Sequence, residues 1–507
     1  MMPAVLAAMA LGELLGPAAG KHAALMVSNL VSDSREVTPG AAFVALPGAR
    51  HHGLDFASAA LAAGAAVVLY EPGDRLQGDG APGDRAPESS AWTPGSAGPA
   101  RAVPGLAQRL GELGARFYGR GEPRQGLVGI TGTNGKTTVS WLVAQAFDRL
   151  GEPCGYIGTL GFGRAGALDT HALTTPDCLS LHRELATLGT PRAAVEVSSH
   201  ALDQDRIAGL EFPIAAFTNL SRDHLDWHRT MDAYFEAKSR LFLRPGLDSA
   251  VINLGDAYGP VLAARIAPPA RAVTVAVTPA AHVSIEARPT GHGLAGQTLA
   301  LDGRFGQARI ESPLIGALNA ENLVVAAGIL VAAGHAIETA ASALSGATAP
   351  PGRLEVFGGP PGHPWIVVDY AHTPAALERV LAELALIATG ELHCVFGCGG
   401  ERDRGKRAPM GQIAARYAAH IVLTDDNPRG EDPVSIVADI KAGIARHPDL
   451  SVIHARDAAI AAAIAAAGPG DVVLIAGKGH ETSQNLGGEL RTFDDRVIVG
   501  KLLEVES

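Results

Sequence analysis

A glycine-rich turn lies between an apolar segment and a helical pattern in this chain. Residues 126–130 read GLVGI and lead directly into residues 131–138, TGTNGKTT. A turn of this type wraps backbone N–H groups around phosphates, while its lysine reaches the outer phosphates and the next hydroxyl ligates Mg²⁺. The generic pattern requires glycine at position 130, where this chain has Ile130, but the G-x-x-G-K-T core is intact. We therefore predict that ATP is bound through Gly132, Thr133, Asn134, Gly135, Lys136, Thr137 and Thr138.

Three further residues could do chemistry at the ends of strands or on a helix. Glu196 ends the apolar segment AAVEV, where an ionised carboxylate is costly unless it meets a cation. Lys238 is one of few lysines among 41 basic residues, and a chain that prefers arginine keeps lysine where a compact or deprotonatable amine is needed. On the residues alone, Glu196 could form a salt bridge and Lys238 could lie on the surface of the helix YFEAKSRLF. His372 could belong to a turn capped before the next helix.

The motifs, in order along the chain, resemble those of the Mur ligase family, the cytoplasmic amino-acid-adding enzymes of bacterial peptidoglycan synthesis. The resemblance runs through most of the chain except the Gly/Pro-rich insertion, and the similar segments are GITGTNGKTT, EVSSHALDQDR, FTNLSRDHLDWH, YFEAKSRLF, GALNAENL, GRLEVF, DYAHTPAAL, FGCGGERDRGKR, DDNPR and AGKGHE. The resemblance is to members that add the third residue of the peptide. It implies an ATP-dependent ligase that joins meso-diaminopimelate to UDP-MurNAc-L-Ala-D-Glu through an acyl phosphate.

The resemblance also implies roles around ATP. Lys136, Lys238, Glu196 and His372 would be catalytic, and Asn319, Arg353 and Asp369 would contact the nucleotide. Mg²⁺ would be held by Thr137, Glu196, His372 and Lys238. Because an ammonium repels a metal, the family carbamylates this lysine with CO₂, and burial could lower the pKa of the amine enough for that reaction. His224 and Asp226 match motif positions but have no assigned role.

For the nucleotide-sugar substrate, the resemblance points to two regions. The segment VSDSREVTPG would contact uridine or diphosphate through Ser32 and Ser34, with residues 48–51 nearby. In the centre of the chain the matching positions are Thr174, Thr175, Ser198, Gln204 and Arg206. Leu173 stands where some relatives have Asn, so a side-chain contact is not expected there.

The segment DNPR indicates which amino acid is added, within the reaction that the resemblance implies. Diaminopimelate resembles lysine with an extra distal carboxylate, which a guanidinium can hold through two parallel N–H···O bonds. The predicted pocket consists of Arg402, Asp426, Asn427, Pro428, Arg429, Gly477 and Glu481. Either Asp426 or Glu481 would take the distal ammonium. Standing alone, DNPR could also be an ordinary polar turn after a strand.

Three other functions compete with this interpretation. Addition of L-lysine at the same step is opposed by Arg429, because lysine lacks the distal carboxylate. Folylpolyglutamate synthase shares the phosphate loop, but DNPR and the SDSR-containing N-terminal region argue against it. A P-loop switch that hydrolyses ATP without ligation would need no second-substrate pocket.

Length and composition restrict the class of protein. At 507 residues, with 47% apolar and 18% charged residues, the chain can build about three domains with sizeable cores. A net charge of −11 argues against a nucleic-acid partner. Four cysteines are too few for a disulfide framework and are interpreted as reduced, buried thiols. With no candidate leader or membrane span, we expect a cytoplasmic monomer that binds small molecules.

The order of strand-like and helix-like segments predicts the α/β class. We expect a small N-terminal α/β domain (residues 1–106), a central P-loop-type domain with a mostly parallel sheet (107–349) and a Rossmann-like C-terminal domain (350–507). The Gly/Pro-rich segment 73–104 is predicted to be a surface loop or insertion. The Ala/Leu-rich opening of the chain predicts an amphipathic first helix.

Overall fold

The computed structural model describes residues 7–48, 51–72, 98–119, 126–171, 173–277, 281–445 and 447–505. The chain divides into two compact units. The first comprises Met1–Thr131, Glu152–Ala215 and Arg222–Asp248, and the second Gly132–Gly151, Ala216–Ser221 and Ser249–Ser507.

Strands and helices alternate along most of the chain. The strands are β1 (Met9–Ala10), β2 (Met26–Val27), β3 (Asn29–Val31), β4 (Ala41–Ala45), β5 (Val67–Tyr70), β6 (Ala100–Ala102), β7 (Gly126–Thr131), β8 (Cys154–Gly158), β9 (Gly161–Arg164), β10 (Ala167–Asp169), β11 (Arg192–Glu196), β12 (Ile214–Phe217), β13 (Ser249–Asn253), β14 (Arg271–Ala276), β15 (Ile285–Gly293), β16 (Gly296–Gly303), β17 (Ala308–Ser312), β18 (Glu355–Gly358), β19 (Trp365–Asp369), β20 (Leu392–Phe396), β21 (His420–Leu423), β22 (Leu450–Val452), β23 (Val472–Ala476), β24 (Ser483–Leu486) and β25 (Glu489–Thr492).

The helices are α1 (Leu11–Leu15), α2 (Ala57–Ala62), α3 (Leu110–Tyr118), α4 (Lys136–Arg149), α5 (Cys178–Leu188), α6 (Ser199–Asp203), α7 (Leu225–His228), α8 (Met231–Ser239), α9 (Gly259–Ala263), α10 (Ala317–Ala332), α11 (Ile337–Ser345), α12 (Pro374–Ile387), α13 (Arg407–Tyr417), α14 (Pro433–Lys441), α15 (Arg456–Ala466) and α16 (Asp495–Val505). The predicted alternation is therefore confirmed. The predicted first helix is short, because α1 gives way to a 3₁₀ segment, Gly16–His22.

The first unit begins with a four-stranded parallel sheet in the order β3-β4-β5-β6. Every residue of β4 is buried, because α3 lies in the cluster on one face and α2 in the cluster on the other. Residues 73–97 of the predicted insertion lie outside the described residues. The loop prediction was wrong for Ala100–Ala102, which pairs with Val68–Tyr70. A strand this short is held by main-chain hydrogen bonds, which composition does not reveal.

A second sheet region of the first unit contains β8, β11 and β7 as parallel neighbours, extended by the antiparallel strands β9 and β10. Strands β7 and β8 are buried along their whole length, which explains their unbroken apolar sequences. Because parallel strands end at one edge, Thr131, Gly158 and Glu196 lie at the edge where ligands bind in such sheets.

In the second unit, β13, β14 and β15 are parallel, and β15, β16 and β17 continue as an antiparallel sheet. Helix α10 approaches this region closely, since a Cβ at Gly328 would lie 2.8 Å from Val251 and 2.9 Å from Val275. The antiparallel part was not predicted. Alternate residues of β16 are buried, which is typical of a strand with one covered face.

The C-terminal part of the second unit is a six-stranded sheet in the order β18-β19-β23-β20-β21-β22, parallel except for β18. Residues of α12, α13 and α14 pack in the cluster on one face, and residues of α15 and α16 pack in the cluster on the other. The segments 397–402, 424–429 and 477–481 follow the carboxyl ends of β20, β21 and β23. The fold therefore brings three separate motifs to one edge.

The remaining predictions have mixed outcomes. All four cysteines are free and buried, as predicted. Within the described part of the chain, no helix is long and apolar enough to cross a membrane. The division into domains after residues 106 and 349 stays a prediction.

Candidate active site

The phosphate loop precedes α4 in the second unit. Gly132 and Gly135 have φ angles of +153° and +82°, which favour glycine. A Cβ at Gly132 would collide with the Thr218 hydroxyl, and one at Gly135 with the Asn322 side-chain oxygen. Both glycines are therefore required by backbone conformation and by close packing.

Lys136 begins α4 and folds back over the loop. Its Nζ donates to the carbonyls of Gly132 and Thr133, both at 2.9 Å. Thr137 and Thr138 follow it in the first turn of the helix and are buried. An ammonium, helix N–H groups and hydroxyls are thus gathered at one helix N-terminus, an arrangement that suits phosphate and its metal ion.

The segment after β12 holds the phosphate loop in shape. The Asn134 N–H donates to Asn219 Oδ1 at 2.9 Å, and the Thr218 hydroxyl donates to the Asn134 carbonyl at 2.6 Å. The Ser221 N–H donates to Thr133 Oγ1 at 3.0 Å. Sequence reasoning assigned no role to Thr218 or Asn219, although both belong to the segment FTNLSRDH.

Asn319 of α10, predicted to contact the nucleotide, is buried and bonded within its own helix region. Its Nδ2 donates to the Ile315 carbonyl at 2.8 Å, and its Oδ1 accepts from Asn322 Nδ2 at 3.1 Å. Because Asn322 lies against Gly135, the pair links α10 to the phosphate loop. The structure thus adds Asn322 to the predicted set, and nucleotide contact by Asn319 itself stays a prediction.

Glu196 is fully buried at the end of β11 in the first unit. Its carboxylate accepts hydrogen bonds from Tyr156 Oη at 2.5 Å, from the Thr159 N–H at 3.0 Å and from the Thr159 hydroxyl at 3.2 Å. These hydrogen bonds come from neutral donors, which replace water around the carboxylate without cancelling its charge. An oxygen ligand held in this way suits a hard cation.

The predicted contacts for the nucleotide-sugar substrate gather beside Glu196. The Thr175 hydroxyl donates to the Glu196 carbonyl at 2.7 Å and accepts from the Ser198 N–H at 3.0 Å. Arg206 donates to the Thr175 carbonyl at 2.8 Å and to Gln204 Oε1 at 2.6 Å. The Thr174 hydroxyl lies 3.1 Å from that of Thr159. The five predicted residues therefore belong to one connected polar cluster.

The residues predicted near the N-terminus to contact the nucleotide sugar belong to the first unit as well. Ser32 Oγ donates to Asp177 Oδ1 at 3.3 Å, and Ser34 begins the 3₁₀ segment Ser34–Glu36. In the predicted segment 48–51, the Gly48 N–H donates to the His51 carbonyl at 3.0 Å, while residues 49 and 50 lie outside the described residues.

Lys238 is 1% exposed on α8, so the alternative of a surface lysine is wrong. Its Nζ lies 4.6 Å from the centroid of the Tyr234 ring. Tyr234 stacks on His228 at 5.1 Å, and His200 lies 5.6 Å from His228. His224, which had no assigned role, lies 4.9 Å from His200. Burial lowers the pKa of both His200 and His228, and the Tyr234 ring lies between this pair and Lys238 in the series of contacts.

The nucleotide contacts predicted in the C-terminal region cluster around Tyr370. The Arg353 guanidinium lies 4.6 Å from the Tyr370 ring centroid, and the His372 ring lies 4.5 Å away. Asp369 is buried and accepts from the N–H groups of Leu354 and Ala371, both at 2.8 Å. Burial raises the pKa of Asp369 and lowers that of His372. His372 Nδ1 is 2.9 Å from the Tyr370 carbonyl, which fixes the ring.

The pocket predicted for the amino acid is assembled from the three loops of the C-terminal sheet. Arg429 Nη1 donates to the Gly400 carbonyl at 2.8 Å, which holds the guanidinium against the loop that carries Arg402. Arg429 has φ +53° at the corner of the turn after Pro428. Asn427 Nδ2 donates to Glu481 Oε2 at 2.9 Å, and a Cβ at Gly477 would lie 3.0 Å from Asp426 Oδ2. The structure therefore brings all seven predicted residues together.

A buried ion-pair network fixes the two loops that carry the pocket arginines. Arg407 is fully buried and makes two 2.8 Å hydrogen bonds to Glu431. Glu431 also accepts from the Glu401 N–H at 3.0 Å and pairs with Arg404 at 2.8 Å. The Arg407 hydrogen bonds hold the pKa of Glu431 at about 2. Sequence reasoning missed Arg407 and Glu431, whose types and spacing look like ordinary surface charges.

Among the described residues, no group of three or more His, Cys, Asp or Glu side chains could hold a metal ion by itself. The predicted Mg²⁺ ligands do not require such a group, because they are a threonine, a glutamate, a histidine and a modified lysine. The hydrogen-bonded Glu196 carboxylate and the Thr137 hydroxyl are oxygen donors of the kind that Mg²⁺ prefers. The donor types therefore fit magnesium.

Comparison with known proteins extends over nearly the whole chain. Family models match residues 26–118 (Mur ligase family, catalytic domain), 130–330 (Mur ligase middle domain) and 352–479 (Mur ligase, glutamate ligase domain). The chain is 47% identical to a UDP-N-acetylmuramoyl-L-alanyl-D-glutamate--2,6-diaminopimelate ligase from Alkalilimnicola ehrlichii, over 95% of each chain. It is 46% identical to the ligase of that name from Pseudomonas aeruginosa, over 93% of this chain and 94% of the relative. A solved structure of such a ligase matches with a TM-score of 0.69 at 35% identity, over 99% of each chain.

Proposed function

The chain belongs to the Mur ligase family, and from that premise we propose that it joins meso-diaminopimelate to UDP-MurNAc-L-Ala-D-Glu. The reaction is driven by ATP and forms the peptide bond to the third residue of a peptidoglycan precursor. We assign it to the bacterial cytoplasm, where ATP and nucleotide-linked precursors are available. The observation that carries the proposal is the pocket in which Arg429 and Glu481 are each hydrogen-bonded to Asn427.

Peptide-bond formation requires an activated carboxylate, since a free carboxylate is a poor electrophile. ATP supplies the activation by transferring its γ-phosphoryl group to the substrate carboxylate, and the amine then attacks the acyl phosphate and releases phosphate. The protein must position the reactants and place cations around the phosphoryl oxygens. The Lys136 ammonium at the start of α4 fits the second task.

Magnesium would neutralise charge on the phosphates when bound. We assign ligand roles to Thr137, Glu196, His372 and Lys238 from the family resemblance and from their donor types. Arg353, Asp369 and Asn319 are assigned to the nucleotide.

For Lys238 the assignment requires carbamylation. Lys238 is buried on α8 beside the Tyr234 ring, and carbamylation would convert its cationic side chain into an anion that can bind a metal ion. Intact-protein mass spectrometry in bicarbonate should show an added carbamate on wild-type protein and none on a Lys238→Arg variant. Equal masses for the two preparations, after correction for the substitution, would refute the modification.

The nucleotide-sugar dipeptide is assigned to the polar cluster beside Glu196, with Ser32 and Ser34 toward its uridine end. Hydroxyl, amide and guanidinium groups in that cluster match a substrate with peptide, sugar and carboxylate oxygens. The position of Glu196 within the cluster supports this assignment, because the carboxylate to be phosphorylated must meet the phosphoryl group.

The distal end of diaminopimelate carries one carboxylate and one ammonium. Arg429, with Arg402 on the neighbouring loop, can hold the carboxylate, and Asp426 or Glu481 can hold the ammonium. L-Lysine would leave the guanidinium without its partner, so a large preference for diaminopimelate follows.

The deciding experiment measures phosphate release with UDP-MurNAc-L-Ala-D-Glu, ATP and Mg²⁺, with meso-diaminopimelate or L-lysine added in parallel. We expect release with diaminopimelate alone. Preferential use of lysine would keep the ligase and overturn the assignment of Arg429. Release that needs no amino acid would indicate an ATPase instead.

A further inference from the structure

Lys478 lies at the centre of the amino-acid pocket and was not assigned to it. It follows β23 between Gly477 and Gly479, which have φ angles of +113° and +52°. Lys478 is fully buried, with 0% of its surface exposed. Burial of an unpaired charge is costly, so a buried ammonium must be stabilised by nearby acceptors or carboxylates.

Lys478 makes two hydrogen bonds and one longer ion pair with residues of the pocket. Its Nζ lies 3.0 Å from Glu481 Oε2, 3.2 Å from Asn427 Oδ1 and 3.8 Å from Asp426 Oδ1. Because none of its side chain is exposed, this ammonium has no surface that a substrate could contact. It therefore acts through the pocket residues and not by direct contact.

The acidic end of the pocket, formed by Asp426, Glu481 and Lys478, does not balance in charge without a ligand. Burial alone would raise the pKa of Glu481, but Lys478 and Asn427 hold that pKa below its ordinary value. Burial raises the pKa of Asp426 in spite of Arg456 and Lys478. Arg456 is itself committed to Asp495, through two hydrogen bonds of 2.7 Å. One ammonium is thus shared by two carboxylates, which leaves about one negative charge for an incoming cation.

Lys478 is also linked, through Asn427, to Arg429, the arginine assigned to the distal carboxylate of diaminopimelate. Asn427 Oδ1, which accepts from Lys478, accepts from the Asn485 N–H at 3.0 Å as well. The Asn427 carbonyl accepts from the Gly400 N–H at 2.9 Å, and Gly400 in turn receives Arg429 Nη1. Removing the ammonium would take one hydrogen bond from Asn427 and one from Glu481, and would thereby weaken the support of the loop that carries Arg429.

We propose that Lys478 is a positioning residue that sets both the geometry and the net charge of this pocket, so that it selects an amino acid whose distal end carries one ammonium and one carboxylate. The inference rests on the proposed function and deepens it. Without Lys478, two uncompensated carboxylates would favour a purely cationic distal end over one that also carries a carboxylate.

The test compares wild-type protein with the Lys478→Met and Lys478→Gln variants, using meso-diaminopimelate and L-lysine as substrates. We expect KM for diaminopimelate to rise about 30-fold or more, which corresponds to the loss of a buried charge partner. KM for ATP should stay unchanged, and the ratio of kcat/KM for diaminopimelate to that for lysine should fall about 10-fold or more. The Lys441→Met variant is the matched control, because Lys441 is exposed on α14.

A merely structural role would lower kcat/KM for both amino acids by one factor and would leave their ratio unchanged, and that result would overturn the proposal. Lys478→Gln keeps a hydrogen-bond donor for Glu481 but no charge, so it serves where the methionine variant fails to fold. Wild-type protein that ligates neither amino acid would instead overturn the proposed function, which separates the two failures.

Discussion

The phosphate loop, residues 132–138, and the proposed amino-acid pocket both lie in the second unit, and in the proposed function they would hold charged ligands by different means. The loop would use consecutive residues, whose backbone N–H groups and one lysine would form the binding surface. The pocket uses side chains from three loops, after β20, β21 and β23, and its charges are held by other buried charges. The phosphate loop is contained in a single turn. The pocket exists only because three parallel strands of one sheet end at the same edge.

This difference has consequences for specificity. Backbone groups recognise phosphate in any nucleoside triphosphate, so the proposed role of the loop would supply reactivity and little selection. Side chains that are fixed by an ion-pair network can match one particular distribution of charge, so the proposed pocket would supply the choice of amino acid. Variants in the loop should therefore stop all ligation, while variants in the pocket should change which amino acid is used.

The largest effect is expected for Lys136→Ala. Loss of the cation that reaches the phosphates should lower kcat by about 1000-fold with every amino acid, while the fold stays intact. Phosphate release and circular dichroism measure the two properties, and Lys501→Ala, an exposed position on α16, is the control. Substantial activity in the Lys136→Ala variant would remove the phosphate loop from the mechanism.

A more selective effect is expected for Arg429→Ala. KM for diaminopimelate should rise about 30-fold or more, because the distal carboxylate loses its guanidinium. KM for ATP and any slow use of lysine should remain unchanged. Arg416→Ala provides a comparison, since Arg416 is 68% exposed and pairs with Glu378 at the surface. An equal loss for lysine and diaminopimelate would mean that Arg429 supports the fold and does not select the substrate.

The smallest effect is expected for Glu431→Gln, which weakens the support of both pocket arginines. Because Arg407 holds the pKa of Glu431 at about 2, below its ordinary value of 4.5, ionised Glu431 stabilises the folded state above pH 4.5. That contribution is lost as pH falls from 4.5 toward 2. The difference in Tm between wild-type and Glu431→Gln protein should thus be present near neutral pH and shrink below pH 4.5.

Glu378→Gln serves as the control for this series, because its carboxylate is 43% exposed and pairs with Arg416 at the surface. We also expect a moderate rise in KM for diaminopimelate in Glu431→Gln, and none for ATP. A Tm difference that is the same at all pH values would show that the Arg407–Glu431 pair stabilises the protein by packing and not by charge.

Local patterns predicted most of the fold. The apolar runs that became β7, β11, β19, β20 and β23 are recognisable because strands covered on both faces must be apolar throughout. The predictions failed where that reason does not apply. Residues 285–312 form long antiparallel strands with one exposed face, and Ala100–Ala102 is a strand fixed by its neighbour's main chain.

In the candidate site, too, some residues could be predicted from the sequence and others could not. The phosphate loop and DNPR were predictable because glycine, lysine and arginine in fixed order have few other uses. Lys478, Arg407 and Glu431 were not assigned, because a charged residue next to a motif looks the same whether it faces water or a buried carboxylate. Their roles depend on burial and on partners that are distant in sequence.

By itself, the sequence determined the chemistry available to this protein: a loop that binds phosphates, an acidic residue at a strand end, a lysine on a helix and a turn with arginine at its corner. Only the tertiary structure decided which of these groups are buried and which share a hydrogen bond. The physical reason is that the pKa and the role of a charged group depend on its burial and its neighbours. Strands adjacent in a sheet bring together residues that are far apart along the chain.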